Sequence, residues 1–446
     1  MWPSSEVSPP PAAALPVLSQ TEAMRTWSEP ARDLPILGHP DVLVVGAGSA
    51  GVSAAVAAAR RGAETWLIER YPFVGGLATY GLINLLLTLD DGQGQQVVRG
   101  ICQEVVDRLD ARGEARFPPA EEWNSEEPDT VENWRRWGLI WGAPPEAVRY
   151  SVAFEPEPFA DVCVELLEAA GVNIRLHRWC VAAYVRNRRI EAVVVESKAG
   201  REAILPTVVI DASGDGDVLV AAGAAVDRVA IPPYLWFRAG NVAIDKGRPG
   251  RLWFETPSPG RALVAFGPLP GRVDACDPDD LTRAELAGRA AARQQFGSLR
   301  DSDPAFAEAW LDDYARLLGI TESRRLVGDH VMAKEEGDVP FADSIARTGH
   351  WTRRGVIYHL PYRCLTTSVA ANLLAAGRCI STTRYVHQAT KEIPAAMATG
   401  EAAGAAAAHA LGSAGDVRSV DVSAVRRDLR AAGADVGGPA SDAGWP

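Results

Sequence analysis

The chain has 446 residues, which at about 100 to 200 residues per domain predicts two or three domains and a large core. Hydrophobic residues make up 47% and charged residues 23%, a balance that excludes wholesale disorder and a collagen-like fibre. Acidic residues outnumber basic ones 57 to 45, for a formal charge of -12, which argues against nucleic acid or an anionic membrane as partner, because phosphates need a basic face.

No apolar run approaches the roughly 18 to 20 residues of a membrane span, so no membrane partner is expected. Glu6 stands where a secretory signal carries basic residues, and Pro9, Pro10, Pro11 and Pro16 interrupt the only apolar stretch nearby. The six cysteines (Cys102, Cys163, Cys180, Cys276, Cys364 and Cys379) have neither disulfide nor zinc spacing. That predicts no metal and a reducing, cytoplasmic location.

Residues 1–38, rich in Pro, Ser and Ala, predict a flexible arm whose Trp2 and Trp27 pack back onto the body. A strand at 42–45, an Ala-rich helix at 49–61 closed by Gly62 and a strand at 65–69 follow. That unit requires a parallel sheet. Residues 90–158 read as an insertion outside the sheet, packed by Trp123, Trp134, Trp137 and Trp141. A helix at 159–170 precedes strands at 173–176, 181–185, 192–197 and 208–211. Residues 225–354, with strands at 236–244 and 262–266 and a helix from 281 to about 320, read as a separate lobe. A strand, a loop and an Ala-rich helix span 372–411, and a terminal helix at 420–429 lies in the tail 416–446.

Gly46, Gly48 and Gly51 fall in GxGxxG spacing between the first strand and its helix, within the run Gly46, Ala47, Gly48, Ser49, Ala50, Gly51. The first glycine permits the tight turn, the second admits a pyrophosphate, and the third lets helix approach strand. The helix N-terminus adds N–H groups and a positive dipole. Glu69, followed by Arg70, ends the second strand where a carboxylate receives a ribose diol. A second glycine turn, Gly75, Gly76, Leu77, Ala78 and Thr79, suits an elongated cofactor, favouring FAD over NAD.

With these motifs the chain resembles the large family of FAD-dependent oxidoreductases that have an FAD domain of the glutathione reductase type. Three further blocks carry the resemblance: Val208 to Asp217, Leu360 to Leu365, and Asn372 to Ser381 with His387 and the run Pro394 to Gly404. It implies an α/β fold: a Rossmann-like FAD-binding domain, made of a parallel sheet with a three-stranded β-meander, plus an inserted α+β substrate or cap lobe. The FAD domain is expected to be discontinuous, 39–224 and 355–415, with the lobe at 225–354. The resemblance places Cys180 and Val181 at the adenine edge, and Ala212, Ser213, Gly214 and Asp215 beside the cofactor. It places Gly377 and Arg378 along the pyrophosphate and ribityl chain. The helix starting near Pro394, with Ala395, Ala396 and Met397, is expected to point its free N–H groups at the flavin, Pro394 suiting the first helical position.

Hydride transfer to flavin needs a base for the accompanying proton, and His387, expected in a loop, has the matching pKa class. Lys391 and Arg384 are candidates for holding an anionic substrate or the reduced flavin, and Tyr385 completes this candidate pocket. Arg384 and Tyr385 stand where relatives often carry His and Glu. Cys364 and Cys379 read as small buried residues. The expected activity is a dehydrogenase or oxidase acting on a small-molecule substrate, with oxygen or another electron acceptor; a homodimer is among the expected arrangements. A flavin monooxygenase is an alternative, weakened by Gly377-Arg378 where that class has Gly-Asp. A flavin-binding protein with a partner-docking role is another.

Overall fold

The computed structural model describes residues 26–438. The predicted apolar strands form a five-stranded parallel sheet in the order Leu373–Ala375, Val208–Asp211, Val42–Val45, Thr65–Ile68 and Asn173–Arg175. The central three are buried on both faces, which is why they read as unbroken hydrophobic runs. Helix α1 (Ser49–Ala59) follows the first of them, and Gly62 turns the chain at φ +86°.

Helices α2 (Ile101–Ala111), α3 (Pro128–Arg135) and α4 (Pro156–Ala169) come next. Residues 90–158 are only partly the expected insertion. Ile101, Cys102, Val105, Val106 and Leu109 form one apolar stripe of α2, which buries itself in the same core as the sheet. The tryptophans do pack locally: Trp123 stacks on Tyr150 at 4.5 Å, and Trp134, Trp137 and Trp141 cover Leu85, Leu87 and Leu139.

The meander Trp179–Arg186, Arg189–Ser197 and Gly200–Ile204 is antiparallel and three-stranded, as expected, but a fourth strand joins it. Ile36–Gly38, assigned from sequence to the arm, pairs in parallel with Ala203 and Ile204. Trp27 does not pack back; it is 94% exposed. Trp2 and residues 1–25 lie outside the described residues, as do 439–446.

Helix α5 (Asp217–Ala221) leads into the second lobe. There, strands Phe254–Glu255, Ala262–Val264, Phe237–Gly240 and Trp310–Tyr314 form an antiparallel sheet against helix α6 (Pro278–Ser302), around a separate core. The helix ends some eighteen residues before the expected 320. Asp303 precedes Pro304, whose ring disfavours a helical conformation in the residue before it, and Asp303 is extended at φ −117°, ψ 114°. Helices α7 (Arg384–Thr390), α8 (Ile393–Ala410) and α9 (Val422–Ala431) close the chain. The hairpin Ser344–His350 and Arg353–Pro361 straddles the expected boundary at 354 and 355. Its Ile345, Ala346, Tyr358 and Leu360 belong to the first core.

Two contacts show how the first domain closes. Gly400 and Gly404, one turn apart on α8, face α1 so closely that a Cβ would lie 2.1 Å from the carbonyl oxygens of Ala50 and Ala54. The Ala-rich composition of both helices follows from that approach. Among the described residues no helix is long and apolar enough to cross a membrane, and no cluster of side chains suits a metal ion.

Candidate active site

The glycine turn has the geometry its spacing predicts. Gly46 sits at φ +101°, and a Cβ there would meet the Ala212 carbonyl at 2.5 Å. A Cβ on Gly51 would lie 1.8 Å from the Gly46 carbonyl oxygen, so helix and strand demand glycine. Gly48 is the opposite case: nothing lies within 4 Å of its Cβ position, and it opens on a cavity of about 520 Å³. A backbone turn at a helix N-terminus, bare on its cavity side, fits a pyrophosphate.

Glu69 lies on the same wall, its carboxylate accepting from the Ala47 amide at 2.7 Å and the Tyr71 amide at 3.0 Å. Burial pushes its pKa up, against those two hydrogen bonds. Arg70 lies over the Tyr71 ring at 4.8 Å and 3.8 Å from Asp215. Gly75, Gly76, Leu77 and Ala78 line the cavity, whereas Thr79 is buried beneath, bonded to Val74 O. Across the cavity stand Ala212, Ser213, Gly214, Asp215 and Arg378. The fully buried Asp211 shapes that turn by accepting from Ser213 and the Leu219 amide.

Several expected residues support the wall from behind. Ala47 and Gly51 are packed inside the turn, and Gly377 (φ +72°) lies against Ala50. Pro394, Ala395 and Met397 are buried in the first turns of α8, whereas Ala396 reaches the cavity. Pro394 occupies the second helical position, one later than expected, because Glu392 is the N-cap. Cys180 and Val181 do not line the cavity; Cys180 is buried, and the exposed Trp179 is the residue of that strand that approaches Arg70, at 6.0 Å.

The catalytic candidates separate. His387 is in helix α7 and not in a loop, and it is wholly buried. Its Nε2 donates to the Thr321 carbonyl at 3.1 Å, and its Nδ1 is buried without a partner. Burial lowers its pKa well below the usual histidine value, so it stays neutral. It does not line the cavity, but Thr321, whose carbonyl it meets, does. Arg384 is turned away to Glu322 (3.0 Å), and Tyr385 lies beneath Arg353 and Lys334 at 4.6 and 4.9 Å; neither lines the cavity. Lys391 does, with Nζ 2.6 Å from Glu392 Oε1, both side chains largely buried. Cys364 and Cys379 are buried thiols with pKa values pushed up, Cys364 to about 12.

Sequence reasoning missed Glu392 and the residues of the second lobe that line the cavity. Leu317, Leu318, Ile320 and Thr321 form an apolar wall facing the start of α8, and Leu281 and Glu285 of α6 cover the cavity near Tyr71. Glu392 carried a signal, its place directly before the proline of a flavin-facing helix; the lobe residues carried none. The wall is held by three successive residues: Ile320 O receives Arg378, Thr321 O receives His387, and Glu322 receives Arg325 and Arg384.

A parallel sheet, a glycine turn at a helix start and a cavity running from it to a second helix N-terminus define a dinucleotide-binding enzyme of the flavin class. A model of the family described as FAD dependent oxidoreductase matches residues 41–230 and 238–429. The chain belongs to that family, and its cofactor is FAD. Among solved structures, the myxobacterial chondrochloren halogenase, an FAD-dependent halogenase, is similar in fold at 15% identity and TM-score 0.50, over 88% of this chain and 78% of that one. A geranylgeranyl bacteriochlorophyll reductase-like protein from Thermoplasma acidophilum matches at 16% identity and TM-score 0.47, over 88% and 84%. The p-nitrophenol 4-monooxygenase of Pseudomonas putida matches at 12% and 0.46, over 90% and 84%. No curated protein matches the chain.

Proposed function

We propose that this FAD-dependent oxidoreductase is a dehydrogenase or oxidase that takes hydride and a proton from a small molecule held between the start of α8 and the second lobe. One observation carries the reading: the cavity that begins at Gly48 is also lined by Lys391 and Glu392, an ion pair, and by the apolar side chains of Leu77, Ile83, Leu318 and Ile320. FAD, when bound, supplies the two-electron acceptor. The α1 N-terminus and Gly48 hold its pyrophosphate, and Glu69 its ribose. The N-terminus of α8 stabilises negative charge that develops at that end of the cavity. Glu392 takes the substrate proton through the oxygen not bonded to Lys391, and Lys391 holds that carboxylate in place. The apolar wall excludes water and strengthens both effects.

The test is the spectrum of the purified protein with FAD, then a metabolite panel scored by anaerobic bleaching. Flavin bands near about 375 and 450 nm, bleached by one metabolite class, are expected. Glu392→Gln retains the bands and slows bleaching by about a hundredfold or more. Bleaching by NADPH alone would overturn the reading in favour of a monooxygenase.

A further inference from the structure

The second lobe meets the flavin cavity at two places. Leu318 and Ile320 are part of the wall that faces the start of α8, where the substrate is placed. Helix α6 supplies the other contact, with Leu281, Thr282, Glu285 and Leu286 lining the cavity that Glu69, Arg70 and Tyr71 also line. Burial raises the Tyr71 pKa, and the carboxylates of Glu69, Asp215 and Glu285 raise it further against the pull of Arg70. That groups the start of α6 with the end of the strand Thr65–Ile68.

The opposite face of α6 is turned to its own lobe. Ala284, Gly288, Ala292 and Leu299 are buried there, and a Cβ on Gly288 would lie 3.0 Å from Leu235. Leu286 has no such cover: it is 68% exposed although it lines the cavity. Glu285 accepts from Arg289 through one carboxylate oxygen, and the other makes no hydrogen bond to protein.

A carboxylate repels phosphate and accepts from amino and hydroxyl groups, and a leucine suits the face of an aromatic base. With the pyrophosphate at Gly48 and a ribose at Glu69, the part of FAD on this side is the adenosine. Its amino group and hydroxyls are donors, and its base is a flat ring. We propose that α6 belongs to the cofactor site, Glu285 and Leu286 holding the adenosine half of FAD, so that the cofactor binds across both domains. The inference rests on the placing of the ribose at Glu69.

Release of FAD from the loaded full-length protein, measured as FAD recovered in the filtrate after dilution, tests this. Leu286→Ala is expected to release FAD about fivefold faster and Glu285→Ala about tenfold faster. Glu69→Ala, the reference for the ribose end, is also expected to speed release. Both α6 variants are expected to keep the positions of the flavin bands and the unfolding temperature of the flavin-free protein. The proposal is overturned if either α6 variant leaves release unchanged while Glu69→Ala speeds it. A shift of the flavin bands would place α6 at the flavin ring and overturn it, as would faster release matched by a lower unfolding temperature of the flavin-free protein. Release unchanged in Glu69→Ala would overturn the ribose placement and this inference with it. No readout here is turnover, so the role of Glu392 stands or falls separately.

Discussion

Two seams hold this molecule together, and they are built from opposite materials. Between α1 and α8 the contact is backbone against backbone, through Gly400 and Gly404 on Ala50 and Ala54. Between the flavin domain and the second lobe it is charge against charge. Arg238, on the lobe sheet, reaches Glu155 and Glu157 at the start of α4 and Asp313 on the neighbouring strand. The first seam is specified by residues that must be absent side chains, and the second by side chains that meet from distant parts of the chain. The first positions the cofactor; the second positions the wall that faces it.

The charged seam should be the costlier to break. Arg238→Ala leaves Glu155, 2% exposed, with only the partly exposed Arg261 at 3.5 Å as counter-charge and strips Asp313 of its partner, and is expected to cost about 3 kcal/mol in denaturant unfolding. A loss below about 1 kcal/mol would make this seam no stronger than a surface pair. The small-residue seam has a charge of its own in Glu401 on α8, which accepts from the Ile101 amide at the start of α2 at 2.9 Å. Burial raises its pKa to about 7. A carboxyl raised on folding holds its proton more tightly in the native state, so its contribution to stability is fully present below about pH 4.5 and is lost as pH rises to about 7. The full span is on the order of 3 kcal/mol. Glu401→Gln keeps the acceptor and removes the titration, so its advantage over the parent should grow with pH across that window in paired unfolding curves. An advantage that shrinks would mean that Glu401 is ionised and stabilised by Arg60 and Arg61.

Gly404→Ala attacks the backbone seam directly. Its Cβ falls on the Ala54 carbonyl, and forcing the helices apart is expected to cost about 1 to 3 kcal/mol in thermal unfolding and to reduce retained FAD. The contrast between the seams also explains what was legible in the sequence. Gly46, Gly48 and Gly51 could be read because only backbone geometry determines them, and the buried strands because both faces are covered. The lobe wall at Leu317 to Thr321 follows from where β-structure after Pro304 happens to bring the chain, which no local pattern encodes. His387 departs from its expected loop for a related reason: its residue type suits proton transfer, but its surroundings include Thr321, sixty-six positions away.

His387 therefore gives the smallest and sharpest test, because it ties the two regions through one hydrogen bond. His387→Leu leaves the Thr321 carbonyl without its donor and is expected to cost about 1 to 2 kcal/mol near pH 8. The parent histidine is held neutral in the folded state, whereas the unfolded one takes a proton below about pH 6.5. The native protein thus binds fewer protons, and the parent alone loses stability as pH falls through that value. The deficit of the leucine variant should consequently shrink by about 1 kcal/mol between about pH 8 and pH 5.5, measured as the difference between the two unfolding free energies. A deficit that widens on acidification would mean that the folded state protonates His387, returning it to the list of groups able to accept a proton from the substrate and displacing Glu392 from that role.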